Sequence, residues 1–267
     1  MECAAQEIAV ETNHVYYEIP LNERMRTMLR LEHMFAQIEH CMEGRTHWDT
    51  RYAMAAFFET FNVIARNEFK SELLQELDRH FSSLGRLAEM PHVDPSALNR
   101  VLDEIGTTRE ALLRSEVISQ QVIRQNEFLN AIQQRSSIPG GTCNFDLPAM
   151  HFWLEHNVPE LRASYITEWW KPLRPLHDAI QLTLRLLRQS ADPSEEVAEE
   201  GYYQMELDKA APTQLIRIGV ERAAKVFPEV SGGRHRFSLR FLEQPNPNSR
   251  AAQARRDIPF ALARCII

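Results

Sequence analysis

The chain has 267 residues, of which 44% are hydrophobic and 25% charged, the balance of a globular protein with one large or two small domains. Its formal net charge of −7 argues against general affinity for nucleic acid, and no apolar run approaches the roughly 18 residues that a membrane-spanning helix needs. Four widely separated cysteines form no C-x-x-C pair and the N-terminus resembles no signal peptide, so we expect reduced thiols in a cytoplasmic protein.

A predicted flexible tail (residues 1–13) and a strand (residues 14–19) open the chain. A helix over residues 22–43 follows, and its first residue, an asparagine, is a good N-cap. Apolar residues recur along this helix at steps of three and four, which predicts one buried stripe. Arg26 and Arg30 fall on the opposite side, one turn apart.

Helical periodicity continues over most of the next hundred residues. A second helix is predicted to start near Asp49 and to end at Arg66, where a cation suits the exposed carbonyls. A third covers residues 68–87, a fourth covers residues 95–106, and one or two more reach Arg135.

Residues 135–154 interrupt this pattern. An Ile-Pro-Gly-Gly sequence breaks the helix, and polar and apolar residues then alternate over residues 142–147, which predicts a short strand. Pro148 opens another helix, at a position where its missing N–H costs nothing. Because an isolated strand leaves its backbone unpaired, we expect residues 14–19 and 142–147 to join a sheet formed elsewhere in the chain.

The last third of the chain changes from helix to strand. A long helix with a stripe of leucine and isoleucine is followed by a predicted acidic linker over residues 194–200. A turn is predicted at residues 230–233 and an exposed loop at residues 244–256. Strands are predicted over residues 201–207, 215–220, 236–241 and 258–265.

These elements predict an α+β protein. Residues 14–191 are expected to form a mainly α-helical domain and residues 192–267 an antiparallel β domain. The strands at residues 14–19 and 142–147 are expected to belong to the sheet of the second domain.

One group of residues could carry enzymatic chemistry. Cys143, Asp146 and His151 could supply the nucleophile, the orienting acid and the base of a thiol-dependent hydrolase. No nucleophile elbow surrounds Cys143, and its place beside Phe145 and Leu147 in the alternating pattern favours a buried, inert thiol. The hydrolase is therefore the alternative hypothesis.

Two other patterns could form ligand sites. Gly140 and Gly141 could cradle a phosphate, but no P-loop lysine or G-x-G-x-x-G pattern accompanies them, so a helix C-cap and turn are expected. His33, His40 and His47 are spaced by seven, which places them too far apart for one metal ion at about 1.5 Å rise per residue. We predict no catalytic, cofactor-binding or metal site.

Arginines on defined faces are the remaining candidates. Each alone is best explained as a surface salt bridge or a solvated charge. Together with His151 they could form a basic pocket for an anionic peptide, since guanidinium groups bind carboxylates through a planar fork. The arginines are Arg26, Arg30, Arg66, Arg236 and Arg240.

Four separated motifs give the chain a family resemblance over about residues 17–265. The central motif is Ser137-Ile-Pro-Gly-Gly, Cys143, Phe145-Asp-Leu-Pro and His151-x-Trp-Leu. The others are Pro20-Leu-Asn-Glu-x-Met-Arg-Thr-x-Leu-Arg-x-Glu32, Glu72-Leu-Leu-x-Glu-Leu-Asp-Arg79 and Ser231-Gly-x-x-x-Arg-Phe-x-x-Arg-Phe241. In this order they resemble the ZapD family of Z-ring-associated cell division proteins.

The resemblance implies an α-helical domain plus a β domain, a homodimer and no enzymatic activity. It also implies binding to the C-terminal tail of FtsZ, the tubulin-like GTPase of the division ring. A symmetric dimer carrying two tail sites would bundle FtsZ filaments by avidity and so stabilise the ring in the cytoplasm at midcell. No nucleic-acid partner and no membrane insertion are expected.

The resemblance also assigns tail-binding residues. Glu127 departs from the family pattern where a basic residue is expected, and we expect Arg124, one turn earlier, to compensate. The residues that the resemblance assigns, with this compensating arginine, are Arg26, Arg30, Arg66, Arg124, His151, Arg236 and Arg240.

Overall fold

A computed structural model describes residues 13–64, 69–89, 93–115, 121–208, 212–233 and 236–266. These residues form nine α-helices and eight β-strands, which confirms the predicted α+β class. The chain divides into two compact units: a helical unit, Thr27–Leu184, and a β unit that joins the described residues up to Arg26 with those from Arg185 onwards. The predicted flexible tail lies outside the described residues, except for Asn13.

The helices begin where the sequence places caps and prolines. The side chain of Asn22 accepts a hydrogen bond of 2.9 Å from the Met25 amide and caps α1, as predicted. None of the helices in the described ranges is both long and apolar enough to cross a bilayer. The helices are α1 (Glu23–Glu43), α2 (His47–Ile64), α3 (Phe69–Gly85), α4 (Pro95–Arg114), α5 (Gln121–Gln125), α6 (Glu127–Ser136), α7 (Pro148–His156), α8 (Pro159–Trp170) and α9 (Arg174–Gln189).

The helical unit is built around aromatic side chains. The ring of Phe35 on α1 meets the rings of Trp170 and His177 edge-on, with centroids 5.1 Å away in both cases. The helical core also holds polar groups: His80 on α3 is buried, and burial with the neighbouring Arg79 charge lowers its pKa to about 4. His80 is therefore neutral in the folded protein at neutral pH.

The β unit contains two antiparallel sheets. The first has the order β1-β4-β8-β2, so the N-terminal strand joins the sheet as predicted. The second has the order β3-β6-β5, with β7 also beside β6. The strands are β1 (His14–Pro20), β2 (Ser194–Ala198), β3 (Tyr202–Glu206), β4 (Leu215–Glu221), β5 (Val226–Gly232), β6 (Arg236–Glu243), β7 (Ala252–Gln253) and β8 (Ile258–Cys265).

One hydrophobic core lies between the two sheets. Phe260 of the first sheet packs against Tyr203 and Phe241 of the second, with ring centroids 5.2 and 5.1 Å apart. The predicted alternation along β6 is confirmed, because Phe237, Leu239 and Phe241 are buried and the intervening arginines are exposed.

The other face of the first sheet carries an ion cluster. The Glu18 carboxylate on β1 accepts hydrogen bonds of 2.8 and 2.7 Å from Arg188, near the end of α9, and one of 2.9 Å from Arg217 on β4. Burial acts to raise the Glu18 pKa, but the two guanidinium groups outweigh it and lower the pKa below its ordinary value. The cluster ties three segments of the β unit that are distant in sequence: β1, β4 and the last residues of α9.

The prediction of a strand at residues 142–147 is wrong. This segment is a series of tight turns, in which the amide of Gly141 donates to Ile138 and the amide of Cys143 donates to Gly140. Gly140 has φ of +71°, and a Cβ on Gly141 would lie 2.4 Å from the Arg135 carbonyl, so both glycines are needed. The turns satisfy the backbone locally, which removes the reason for expecting a partner strand.

Three other expectations are also wrong. Helix α4 runs through Gly106 to Arg114, because a single helical glycine costs only about 1 kcal/mol. The acidic residues 194–200 are not a linker, since residues 194–198 form β2 and pair with β8. The predicted turn at residues 230–233 largely belongs to β5, whose glycine and serine residues pair with β6.

Replacing Glu18 with glutamine tests the ion cluster. We expect Glu18→Gln to lower the free energy of unfolding by about 1–3 kcal/mol at neutral pH, since two partly buried guanidinium groups lose their counter-charge. Glu229→Gln, which breaks an exposed pair in the same unit, should cost under about 1 kcal/mol. Urea unfolding of both variants against the parent protein measures the difference.

The same experiment has a pH signature. Because the folded pKa of Glu18 is lowered, its contribution is complete above the unfolded pKa, near 4.5, and is lost as the pH falls through the folded value. The loss of unfolding free energy in Glu18→Gln, relative to the parent protein, should therefore become smaller below about pH 4.5. An equal deficit at all pH values would contradict the role given to the carboxylate.

Candidate functional site

Two predicted arginines share the outer face of β6. Arg236 and Arg240 are exposed and lie four residues apart, and the half-buried Ser238 lies between them on the same face. Arg240 forms a cross-strand ion pair with Glu229 on β5, and both side chains are about half exposed. Pairs of this kind contribute roughly 0–1 kcal/mol, so Arg240 can exchange Glu229 for another carboxylate at little cost. We call Arg236, Ser238 and Arg240 the β6 basic face.

Two more predicted arginines lie on α1. Arg26 is in the first turns of the helix and forms an ion pair with Glu23, three residues earlier. Arg30 lies one turn further on, is exposed and has no charged partner among the described residues. By the division of the chain, Arg26 belongs to the β unit and Arg30 to the helical unit.

The remaining predicted residues are placed in the helical unit or lie outside the described ranges. Arg124 is exposed on the short helix α5. His151 is on α7, where its Nδ1 lies 3.8 Å from Glu155 Oε1. Arg66 lies outside the described residues. The prediction that all these residues form one pocket stays a prediction.

His151 is part of a small cluster on the helical unit. Glu155 Oε1 on α7 also lies 3.5 Å from Nδ1 of His47, at the start of α2. Both imidazoles and the carboxylate are about half exposed. Glu155 thus lies within 4 Å of an imidazole on α2 and of one on α7.

The contacts around Cys143 pair its thiol with a carboxylate. The Cys143 thiol is half-buried and donates to Asp146 Oδ2 at 3.5 Å, and Oδ1 of the same carboxylate lies 3.6 Å from Arg135. The ring of His151 faces Glu155 instead. The expectation that Cys143 shares a buried face with Phe145 is wrong, because the Phe145 side chain is 86% exposed in its turn. Among the described residues, no group of three or more potential ligands could hold a metal ion.

Large aromatic side chains are exposed on the helical unit. Trp48 and Tyr52 lie one turn apart on α2 and are 69% and 57% exposed, and Phe152 on α7 is 60% exposed. The exposed Phe145 belongs to the turns that precede α7. We call Trp48, Tyr52, Phe145 and Phe152 the aromatic surface. Exposed aromatic residues on neighbouring elements indicate a contact surface for another macromolecule.

Arg51 holds the elements of the aromatic surface together. Its guanidinium donates a hydrogen bond of 2.7 Å to the Thr142 carbonyl in the turns and lies 5.8 Å from the centroid of the Trp48 ring. Burial lowers the pKa of Arg51 from its ordinary value, but the group stays charged at neutral pH. The central motif is thus fixed on α2 by one arginine.

A second arginine, Arg162 on α8, fixes the ends of the helices around it. It is only 2% exposed and donates to the Arg45 carbonyl at 3.0 Å, to Thr50 Oγ1 at 3.0 Å and to the Asn157 carbonyl at 2.6 Å. A longer bond of 3.3 Å reaches the carbonyl of Leu154. Sequence reasoning missed this residue, because an arginine in a helix gives no signal of whether it is buried.

Comparison with known proteins finds a matching family model and similar relatives. The family model named ZapD and described as "Cell division protein" matches residues 29–240. The cell division protein ZapD of Methylococcus capsulatus is 43% identical over 256 residues, which is 96% of this chain and 99% of the relative. The ZapD of Aromatoleum aromaticum is 37% identical over 251 residues, which is 94% of this chain and 97% of the relative.

Replacing Arg162 tests the scaffold of the aromatic surface. We expect Arg162→Met to lower the free energy of unfolding by about 3–5 kcal/mol, because buried carbonyls lose a charged donor. Arg162→Lys should restore little of this loss, since one ammonium group cannot reach the same acceptors. Arg45→Met, which removes an exposed ion pair with Glu160, is the matched control and should cost under about 1 kcal/mol. Chemical unfolding measures all three, and equal losses in Arg162→Met and Arg45→Met would contradict the role of Arg162.

Proposed function

Since the chain belongs to the ZapD family of cell division proteins, we propose that it serves division as a non-enzymatic cross-linker of FtsZ filaments. In this proposal it binds the C-terminal tail of FtsZ and acts as a homodimer. Two tail sites in one dimer capture tails from different filaments, and the resulting bundles stabilise the division ring in the cytoplasm at midcell.

The β6 basic face is the observation that carries this proposal. A protein with a formal net charge of −7 keeps two arginines on one exposed strand face, where they can meet carboxylates of an incoming tail. Arg30 supports it from the helical unit, since it is exposed and has no charged partner among the described residues. The proposed tail-binding residues are Arg26, Arg30, Arg66, Arg124, His151, Arg236 and Arg240.

The aromatic surface supports the dimer. At about 150–250 Å² for a large aromatic side chain, its four exposed rings offer roughly 500 Å², over half of what each partner buries in a standard interface. The elements that carry it also carry charges of both signs, with Arg51 over the Trp48 ring on α2 and Glu155 near His151 on α7. An isologous dimer places such a surface against its own copy about a twofold axis, which would bring the exposed rings of the two partners together.

Charge reversal on β6 tests tail binding. We expect Arg236→Glu/Arg240→Glu to raise the protein concentration needed to sediment FtsZ bundles at least tenfold, about 1.4 kcal/mol in binding free energy. Arg250→Glu/Arg255→Glu makes the same change in net charge on an exposed loop and should act like the parent protein. FtsZ without its tail should escape bundling, and added salt should weaken it. Equal bundling by both double variants would remove β6 from the site.

Truncating the aromatic surface tests the dimer. We expect Trp48→Ala/Phe152→Ala to shift the protein from dimer to monomer at micromolar concentration in sedimentation velocity, because the centre of the interface is lost. Bundling should fall with the dimer, while binding of a single tail peptide should persist. Phe81→Ala, on an exposed aromatic of α3, is the control. A dimer that is unchanged by the double variant would place the interface elsewhere, and a monomeric parent protein would overturn the bivalent mechanism.

A further inference from the structure

The β unit has a cleft at the open side of its two sheets. The cleft has a volume of about 400 Å³ and lies where β1 of the first sheet and β5 of the second sheet both form edges. Val15 and Tyr17 line it from β1, and Phe227 lines it from β5. These side chains form an apolar floor that adjoins the core between the sheets, while polar residues line the rest of the cleft.

The rim of the cleft is basic. Arg222 and Lys225 lie in the turn from β4 to β5, are exposed, and have no acidic partner among the described residues. Glu221 also lines the rim, so these three residues together carry one net positive charge. Lys225 adopts a left-handed conformation with φ of +52°, which sets the direction of the turn at the mouth. The rim favours a carboxylate over an ammonium group.

The edge of β1 beside the cleft has unused backbone groups. The Leu21 amide donates to Gln214 and the Arg222 amide donates to Asn13, so the odd-numbered residues of β1 exchange hydrogen bonds with β4. In an antiparallel pair, the intervening residues direct their N–H and C=O groups to the other side. Tyr16 and Glu18 therefore present their backbone groups at the outer edge, where no strand pairs with β1 within the described ranges.

We propose that this edge and cleft bind an extended polypeptide segment, which adds to β1 as an antiparallel strand. Alternate side chains of the added strand enter the cleft, on the same face of the sheet as Val15 and Tyr17. Two apolar side chains of the added strand fit in the cleft. A carboxylate at the next inward position, toward the C-terminus of the segment, meets Arg222 and Lys225. A small ligand could fill the cleft, but only an extended chain also pairs with Tyr16 and Glu18.

The partner is thus a protein with an exposed segment in which apolar residues alternate with small polar ones before an acidic residue. None of the residues of this site belongs to the proposed FtsZ-tail set. The site is therefore independent of the proposed function, and either can fail without the other.

Synthetic peptides test the site on the full chain. The probe is a fluorescent heptapeptide, Thr-Val-Thr-Val-Thr-Glu-Thr, with both ends blocked, and its binding is measured by fluorescence anisotropy. We expect saturable binding with a Kd below about 1 mM, and at least tenfold weaker binding when lysine replaces the glutamate. Arg222→Glu/Lys225→Glu should reverse this preference, while Arg250→Glu/Arg255→Glu should keep it.

N-methylated peptides test the strand pairing without altering the protein. The peptide residues that pair with Tyr16 and Glu18 are the threonines. Their side chains lie on the same face of the sheet as those of Tyr16 and Glu18, away from the cleft. N-methylation of the two central threonines should abolish binding, whereas N-methylation of the two valines should leave it within about threefold. No saturable binding, equal binding of the glutamate and lysine peptides, or equal effects of both methylation patterns would overturn the proposal.

Discussion

The contact of one carboxylate with two guanidinium groups determines how the β unit is assembled. Glu18 is separated by 170 residues from Arg188 and by 199 from Arg217, yet its side chain bonds to both. Adjacent residues of β1 point to opposite sides of the sheet, and Tyr17 and Ile19 pack on the core. A slip of one residue would move the Glu18 charge into that core and break its bonds with the arginines. The cluster therefore fixes the register of β1, and with it the edge and cleft that β1 forms.

Much of the fold follows from periodicity, and the errors have local causes. Helix α1 and strand β6 were predictable because their apolar residues repeat at one period over many residues. Strand β2 was missed because its acidic residues are those of an edge strand, with one face and one side in water. Residues 142–147 alternate like a strand but satisfy their backbone in turns. Alternation over six residues cannot distinguish these two outcomes.

The candidate site was predictable in its exposed residues and not in their partners. The faces of helix and strand place Arg30, Arg236 and Arg240 in solvent, and the structure confirms this. Periodicity contains no information about contacts between elements, so the pair of Arg240 with Glu229 could not be foreseen. The same applies to Arg162, whose acceptors are largely backbone carbonyls from other segments. The sequence alone shows which side chains are exposed to solvent, but not which of them already form ion pairs or hydrogen bonds.

Under the proposed function, the ion pairs that these arginines already form limit how strongly one tail can bind. Arg26 and Arg240 already have carboxylate partners, so an incoming carboxylate replaces one ion pair with another in water. The net gain of such an exchange is a fraction of the roughly 0–1 kcal/mol that an exposed pair contributes. Only arginines without a partner, such as Arg30, add a new interaction. Under the proposed function a single tail therefore binds weakly, and a dimer gains affinity only where a filament presents many tails close together. Bundling then depends on FtsZ being polymerised, which is the state in which the division ring needs cross-links.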